Sequence, residues 1–133
     1  MLLIGVDTKK NEEILNAAYN DAAGITAKFN QNLIQRIKDE LDVECDPNNF
    51  DHQAYYNPDA GRIEMYLVSN AEQTLKLNGH TFRFNEGESL HTENSYKYST
   101  DEFIQLADKC GFKPVKFWTD PNKLFAIYLL EIN

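Results

Sequence analysis

Read as a β-strand, the stretch GESLHTENSYKY at residues 87–98 points His91, Glu93, Ser95 and Lys97 to one side and Leu90, Thr92, Asn94, Tyr96 and Tyr98 to the other. An imidazole, a carboxylate, a hydroxyl and an ammonium on one face leave several chemistries open. They can be the wet side of a half-buried sheet, or the polar wall of a binding site. His91 and Glu93 could also supply two ligands to a metal, but no third ligand stands at a recognisable spacing, so no metal site is expected. His52 and His80 lie elsewhere, and Cys45 and Cys110 are far apart without a C-x-x-C pair, which reads as two reduced thiols.

The elements that must position these residues fall into two groups. MLLIGVD is a continuous apolar run, expected to be a strand buried on both faces inside a parallel or mixed sheet. KNEEILNAAYN reads as a short helix and DAAGITAKFNQNLIQRIKDEL as a longer one, in which Ile25, Phe29, Leu33, Ile37 and Leu41, with Ile34 beside them, mark the packing face. The period then changes to two. HQAYY, RIEMYLVS, QTLKL, HTFRF and SLHTENSYKY, separated by NPDAG, NAE, NG and NEGE, are expected to form an antiparallel meander.

STDEFIQLADKCG carries a capping box, Ser99 with Glu102, and Gly111 as a helix stop. FKPVKFWTD and KLFAIYLLEI are two strands, the last apolar enough to be central in a sheet. The expected architecture is α+β, a single incomplete domain. Residues 1–9 and 99–133 form one edge of a layered sheet, and residues 10–98 form an inserted lobe of two helices and the meander.

Bulk composition narrows the function. The 133 residues are 42% apolar and 12% aromatic, the make-up of a folded domain. A net charge of −8 repels nucleic acid and anionic membrane surfaces. No apolar run approaches the ~20 residues of a membrane span, and the N-terminus lacks the basic start of a signal peptide, so a cytoplasmic chain is expected.

The stretches LLIGVD, AAYNDAAGITAKFNQNLIQRIKDEL, FDHQAYYNPDAGRIEMYLVS, GESLHTENSYKYS and GFKPVKFWTDPNKLFAIYLLE resemble, in the same order, the C-terminal part of the histidine-specific, S-adenosylmethionine-dependent methyltransferases. The resemblance implies the C-terminal edge of a class I methyltransferase-like α/β sheet carrying an inserted substrate lobe. It implies substrate-binding roles for Tyr19, whose hydroxyl would hold an amino acid's carboxylate, and for Met65, which would line the pocket. Glu93 and Ser95, in the TExS pattern, would hydrogen-bond the imidazole of a substrate histidine, with Thr26 and Phe29 near the pocket. No catalytic residue is assigned.

Elementary chemistry is compatible with those roles. An imidazole offers one N–H donor and one acceptor nitrogen, which a carboxylate and a hydroxyl two residues apart on one strand face can address. Methyl transfer to an α-amine, of free pKa about 8, needs a neutral and aligned amine rather than a strong base. The implied cofactor is S-adenosylmethionine. Yet the six glycines include no G-x-G, so a complete cofactor cradle is not expected, and cofactor-binding residues stay unassigned.

Two classes of function follow. The chain is either the substrate-binding portion of an amino-acid methyltransferase, inactive alone, or a non-catalytic small-molecule or protein-interaction module derived from that family. An open sheet edge predicts a homo-oligomer or pairing with a missing N-terminal half.

Overall fold

The computed structural model describes all 133 residues. In chain order the elements are β1 (Leu2–Asp7), α1 (Glu12–Tyr19), α2 (Ile25–Leu41), β2 (Phe50–Asn57), β3 (Arg62–Ser69) and β4 (Gln73–Leu77). There follow β5 (His80–Phe84), β6 (Ser89–Tyr96), α3 (Thr100–Lys109), β7 (Phe112–Thr119) and β8 (Phe125–Ile132). Mixed helices and antiparallel sheets make the chain α+β. Two units form, one of residues 1–12, 57–62 and 95–133, the other of residues 13–56 and 63–94. No helix is long and apolar enough to cross a membrane.

The first unit is a three-stranded sheet in the order β1-β8-β7 with α3 against it. As its apolar sequence implies, β8 is the central strand. The capping box forms in full. Ser99 Oγ accepts from the Glu102 amide at 3.2 Å while Glu102 accepts from the Ser99 amide at 2.8 Å, fixing where α3 begins. Phe103 and Ala107 of α3 then pack on Val6, Ala126, Tyr128 and Leu130.

The first strand departs from expectation: β1 is not buried on both faces and does not sit in a parallel sheet. It pairs antiparallel with β8, from Leu2↔Leu130 to Asp7↔Phe125, at the end of the sheet. Only the Val6 side meets the α3 core. On the other side Leu3 is 65% exposed, and Phe125, Ile127 and Trp118 are exposed with it. Gly5 belongs to this face, and a Cβ there would stand 2.8 Å from the Phe125 ring, so glycine is what lets that ring lie across β1.

The second unit carries α1 and α2, a sheet in the order β2-β3-β6, and a separate β4-β5 hairpin. The five strands do not run as one continuous meander. Among the strands β4 and β5 pair with each other alone, Gln73↔Phe84 through Leu77↔His80, around Asn78-Gly79 with both φ angles positive, Lys76 adding a single bridge to Glu44, and β6 returns to β3.

The packing face of α2 also differs from the stripe read from sequence. Ile25 and Phe29 are 69% and 66% exposed, and Leu33 and Leu41 are exposed too. The buried residues are Asn30 and Ile34, with Ile37 half-buried beside them. Ile34 joins Val43, Phe50, Leu67 and Leu75 in one cluster, and Leu15, Ala54, Ile63 and Met65 form a second.

Candidate functional site

The start of α2 is set by Asp21. Its carboxylate accepts from the Ile25 and Thr26 amides, both at 2.9 Å, which satisfies two donors of the first turn and holds the carboxyl at about 2, well below its usual value. Thr26 is thus held at the helix start, by its side chain as well as its backbone, and does not line the groove that follows. One turn on, α2 presents Phe29, Asn30, Asn32, Leu33 and Arg36 to a groove completed by Thr92 and Glu93 of β6. The groove holds about 170 Å³. That is below the roughly 300 Å³ at which sites for whole drug-sized ligands begin, and it suits a single ring better than a whole ligand.

Polar groups beneath this groove are hydrogen-bonded throughout. Asn30, 3% exposed, donates from Nδ2 to the Tyr66 carbonyl at 2.9 Å and meets His52 Nδ1 at 3.0 Å, while its Oδ1 accepts from Thr92 Oγ1 at 2.7 Å. His52 Nε2 lies 2.9 Å from the Tyr19 carbonyl, and Thr92 Oγ1 lies 3.0 Å from that of Met65.

Tyr19 is half-buried at the end of α1, packed against the cluster that holds Met65. Met65 itself is 1% exposed, with its side chain among Leu15, Ala54 and Ile63. Of the residues expected at a site, Tyr19 and Met65 thus share one apolar cluster, while Phe29 and Glu93 share the groove.

Ser95 falls in the first unit. There Lys97 Nζ donates to Ser95 Oγ at 2.8 Å and pairs with Asp7 Oδ2 at 2.9 Å. The Lys97 side chain is 0% exposed, so it does not belong to the wet face that strand alternation gave it. Lys10 Nζ adds a second contact to Asp7, at 2.6 Å. Burial pushes the Asp7 carboxyl up, but the hydrogen bonds and charges of Lys10 and Lys97 outweigh it and hold the group below its ordinary value.

On the outer face of β2-β3-β6 the rings of Tyr55, Tyr66 and His91 stack in a row, at 5.5 Å and 4.6 Å between centroids. The Tyr66 hydroxyl donates to the buried Glu64 at 2.6 Å, with Tyr55 alongside, which pushes the Tyr66 pKa up. His91 Nε2 meets the Glu93 carbonyl at 3.1 Å.

Three residues of this arrangement escaped the sequence reading. Asn30 stands one turn before Ile34, a polar residue on the buried line of a helix, which is the pattern of a side chain bonded inside. His52 alternates with Phe50 and Ala54 along β2, and nothing in its spacing marks it. Lys97 looked like the continuation of a solvated face.

Residues 1–132 match the family described as histidine-specific, SAM-dependent methyltransferases, SAM being S-adenosylmethionine, and the chain belongs to that family. Among its relatives, the histidine N-alpha-methyltransferase of Mycolicibacterium smegmatis is 35% identical over 130 residues, covering 96% of this chain and 40% of that protein. The histidine N-alpha-methyltransferase of Mycobacterium tuberculosis is 33% identical over 130 residues, with 96% and 40% covered. Ergothioneine biosynthesis protein 1 of Schizosaccharomyces pombe is 27% identical over 130 residues, covering 97% of this chain and 17% of that protein. The chain spans about 40% of the length of the two mycobacterial relatives.

The family's cofactor calls for a glycine turn between a strand and a helix, where the backbone can approach it closely. The two strand-to-helix connections here, residues 8–11 and 97–99, contain no glycine. The glycines of positive φ, at 24, 61, 79, 87 and 111, lie in other turns.

Proposed function

We propose that the chain is the substrate-recognition portion of a SAM-dependent amino-acid methyltransferase, corresponding to the C-terminal part of the family, and that it takes histidine or a related amino acid. Glu93 accepts from the ring N–H, Ser95 serves the same imidazole, the Tyr19 hydroxyl holds the carboxylate, and Met65 backs the apolar wall from the cluster against which Tyr19 packs. The observation that carries this reading is the groove lined by both Glu93 and Phe29, a carboxylate and an aromatic ring at about 170 Å³, within a chain matched by the family over residues 1–132. A ring N–H bonded to a carboxylate is charge-assisted on one side, which gives Glu93 the larger share of affinity.

The cofactor cradle is proposed to lie outside these residues, so the chain alone binds the amino acid without transferring a methyl group. Its first unit is then one edge of a class I methyltransferase-like sheet, with residues 10–98 as the inserted lobe, in a cytoplasmic protein. The exposed face of Leu3, Phe125, Ile127 and Trp118, and the outer edge of β1, favour association with a second copy or with an N-terminal half.

Calorimetric titration tests the reading. Histidine binding by the chain that is lost in Glu93→Ala supports it, and histidine binding unchanged by that substitution sinks it. Tight S-adenosylmethionine binding by the chain alone would overturn the placement of the cradle. Light scattering that finds a monomer at micromolar concentration would overturn self-association.

A non-catalytic binding module derived from the family is the second reading. The glycine-free strand-to-helix connections favour it. It is separated from the first by adding the cofactor half of a relative in trans and assaying methyl transfer to histidine, which only the first reading expects to appear.

A further inference from the structure

The hydrogen bonds under the groove admit one assignment of donors. A backbone carbonyl can only accept, so the Asn30 atom that meets the Tyr66 carbonyl is its NH2 group. The same nitrogen meets His52 Nδ1, which must therefore be the accepting, bare ring nitrogen. Nε2 then carries the proton and donates it to the Tyr19 carbonyl. Asn30 Oδ1 is left to accept from Thr92, whose hydroxyl also reaches the Met65 carbonyl. Turning the amide over would set its oxygen 2.9 Å from the Tyr66 oxygen, so the direction of the whole chain of bonds is fixed.

These bonds tie three elements that bear on recognition: the end of α1 through the Tyr19 carbonyl, β3 through the Met65 and Tyr66 carbonyls, and β6 through the side chain of Thr92 next to Glu93. All three lie in the second unit. Asn30 and Thr92 are themselves part of the groove wall.

We propose that Asn30 and His52 are positioning residues of the amino-acid site, an amide and an imidazole that hold the Tyr19 end of α1 and the Thr92–Glu93 segment of the groove in the one arrangement that recognises a ring. The inference rests on the proposed function of the groove. A buried network with a single allowed direction supplies what a 170 Å³ site needs, because a ring recognised by a few contacts loses them all when the wall shifts. Neither residue touches the ligand's reacting amine, so their effect falls on affinity and selectivity.

The test uses the whole chain labelled with ¹⁵N at histidine. Two-bond proton–nitrogen correlation spectra at neutral pH are expected to show His52 as the Nε2–H tautomer with a bare Nδ1. A protonated Nδ1, or rapid averaging between tautomers, overturns the proposal. Titration with L-histidine then compares the unaltered chain with His52→Gln, which retains an acceptor and a donor, with His52→Leu, which retains neither, and with the nearly isosteric Thr92→Val.

His52→Leu and Thr92→Val are expected to bind about tenfold more weakly while circular dichroism stays unchanged, and His52→Gln to recover most of the loss. Equal binding by all four chains overturns the proposal. If the unaltered chain binds no histidine, the proposed function falls. The positioning role is then still judged by the tautomer and, in a uniformly ¹⁵N-labelled chain, by the Glu93 amide in His52→Leu, which must broaden or shift through the Asn30–Thr92 link and which overturns the proposal if it stays in place.

Discussion

Two buried polar clusters, one in each unit, are held by opposite means. In the first, a fully buried ammonium, Lys97, is balanced by Asp7, and Lys10 shares the carboxylate. In the second, Asn30, His52 and Thr92 are linked by hydrogen bonds with no ion pair among them. The difference lies in what failure leaves behind. Removing one member of an ion pair strands a charge in low dielectric, whereas removing one member of a hydrogen-bonded chain strands a dipole. The first arrangement is costly to break and tolerant in geometry. The second is cheaper to break but demands a particular direction at every link, which suits the ring-recognising wall proposed for the groove.

The largest expected effect tests that contrast directly. Asp7→Ala leaves Lys97 buried without its carboxylate and is expected to cost about 3 kcal/mol in urea unfolding, the low end for a buried pair because Asp7 is partly solvated. Adding Lys97→Met should return much of it, since the stranded charge is then gone. The pH dependence has a definite sign. The Asp7 carboxyl is held below its unfolded value, so its contribution is complete above about pH 4 and is lost as pH falls through the folded value. An Asp7→Ala chain as stable as the parent would erase the distinction between the two units.

Of similar size is one of a pair of substitutions in α2. Ile34→Ala opens a cavity among Val43, Phe50, Leu67 and Leu75 and is expected to cost about 3 kcal/mol, against about 0.5 kcal/mol or less for Ile25→Ala on the exposed side. Equal costs would return the packing face to the Ile25–Leu41 stripe.

That stripe shows where the sequence stopped being legible. Signals confined to a few neighbouring residues carried through: the Ser99–Glu102 box, the Asn78-Gly79 hairpin and the apolar run that made β8 central. Each is decided by local backbone chemistry. Which way a face points is decided by partners distant in sequence. The i, i+4 stripe of α2 gathers most of its apolar residues, yet the helix turns Asn30 and Ile34 inward, because Asn30 finds acceptors on β2 and β3 and a donor on β6.

Strand β6 shows the same limit. Thr92 and Glu93 are adjacent and both half-buried, so the alternation that should put Lys97 in water slips before it is reached. The resemblance through TExS puts Glu93 and Ser95 forward for the proposed site, but no pattern announced that a buried lysine donates to the serine.

Ser95 gives a smaller effect that joins the two comparisons. Ser95→Ala removes an acceptor from Lys97 and, in the proposed site, a partner from the imidazole. Histidine affinity is expected to fall about three- to tenfold by calorimetry, less than for Glu93→Ala, because a hydroxyl forms no charge-assisted bond with a ring. Urea unfolding should shift only slightly, since Asp7 still balances the ammonium. A larger loss than Glu93→Ala produces would make Ser95 the principal contact and reverse the assignment within the TExS pair.

The smallest effect belongs to Asp21, which caps α2 from solvent and isolates geometry from burial. Its carboxyl sits at about 2 because the Thr26 and Ile25 amides donate to it, so the charged form favours the helix start. The folded value lies below the unfolded one. The contribution is therefore present above about pH 4 and fades as pH approaches 2. Asp21→Ala should lower the thermal midpoint at pH 7 by only a few degrees and flatten its decline in acid, with amide exchange quickened at Ile25 and Thr26 and unchanged at Ile34. Because Phe29 stands one turn from that cap, histidine affinity should weaken slightly in step with the fraying. If the first turn frays and affinity does not move, the groove is set by the Asn30 network alone and the cap serves only the helix.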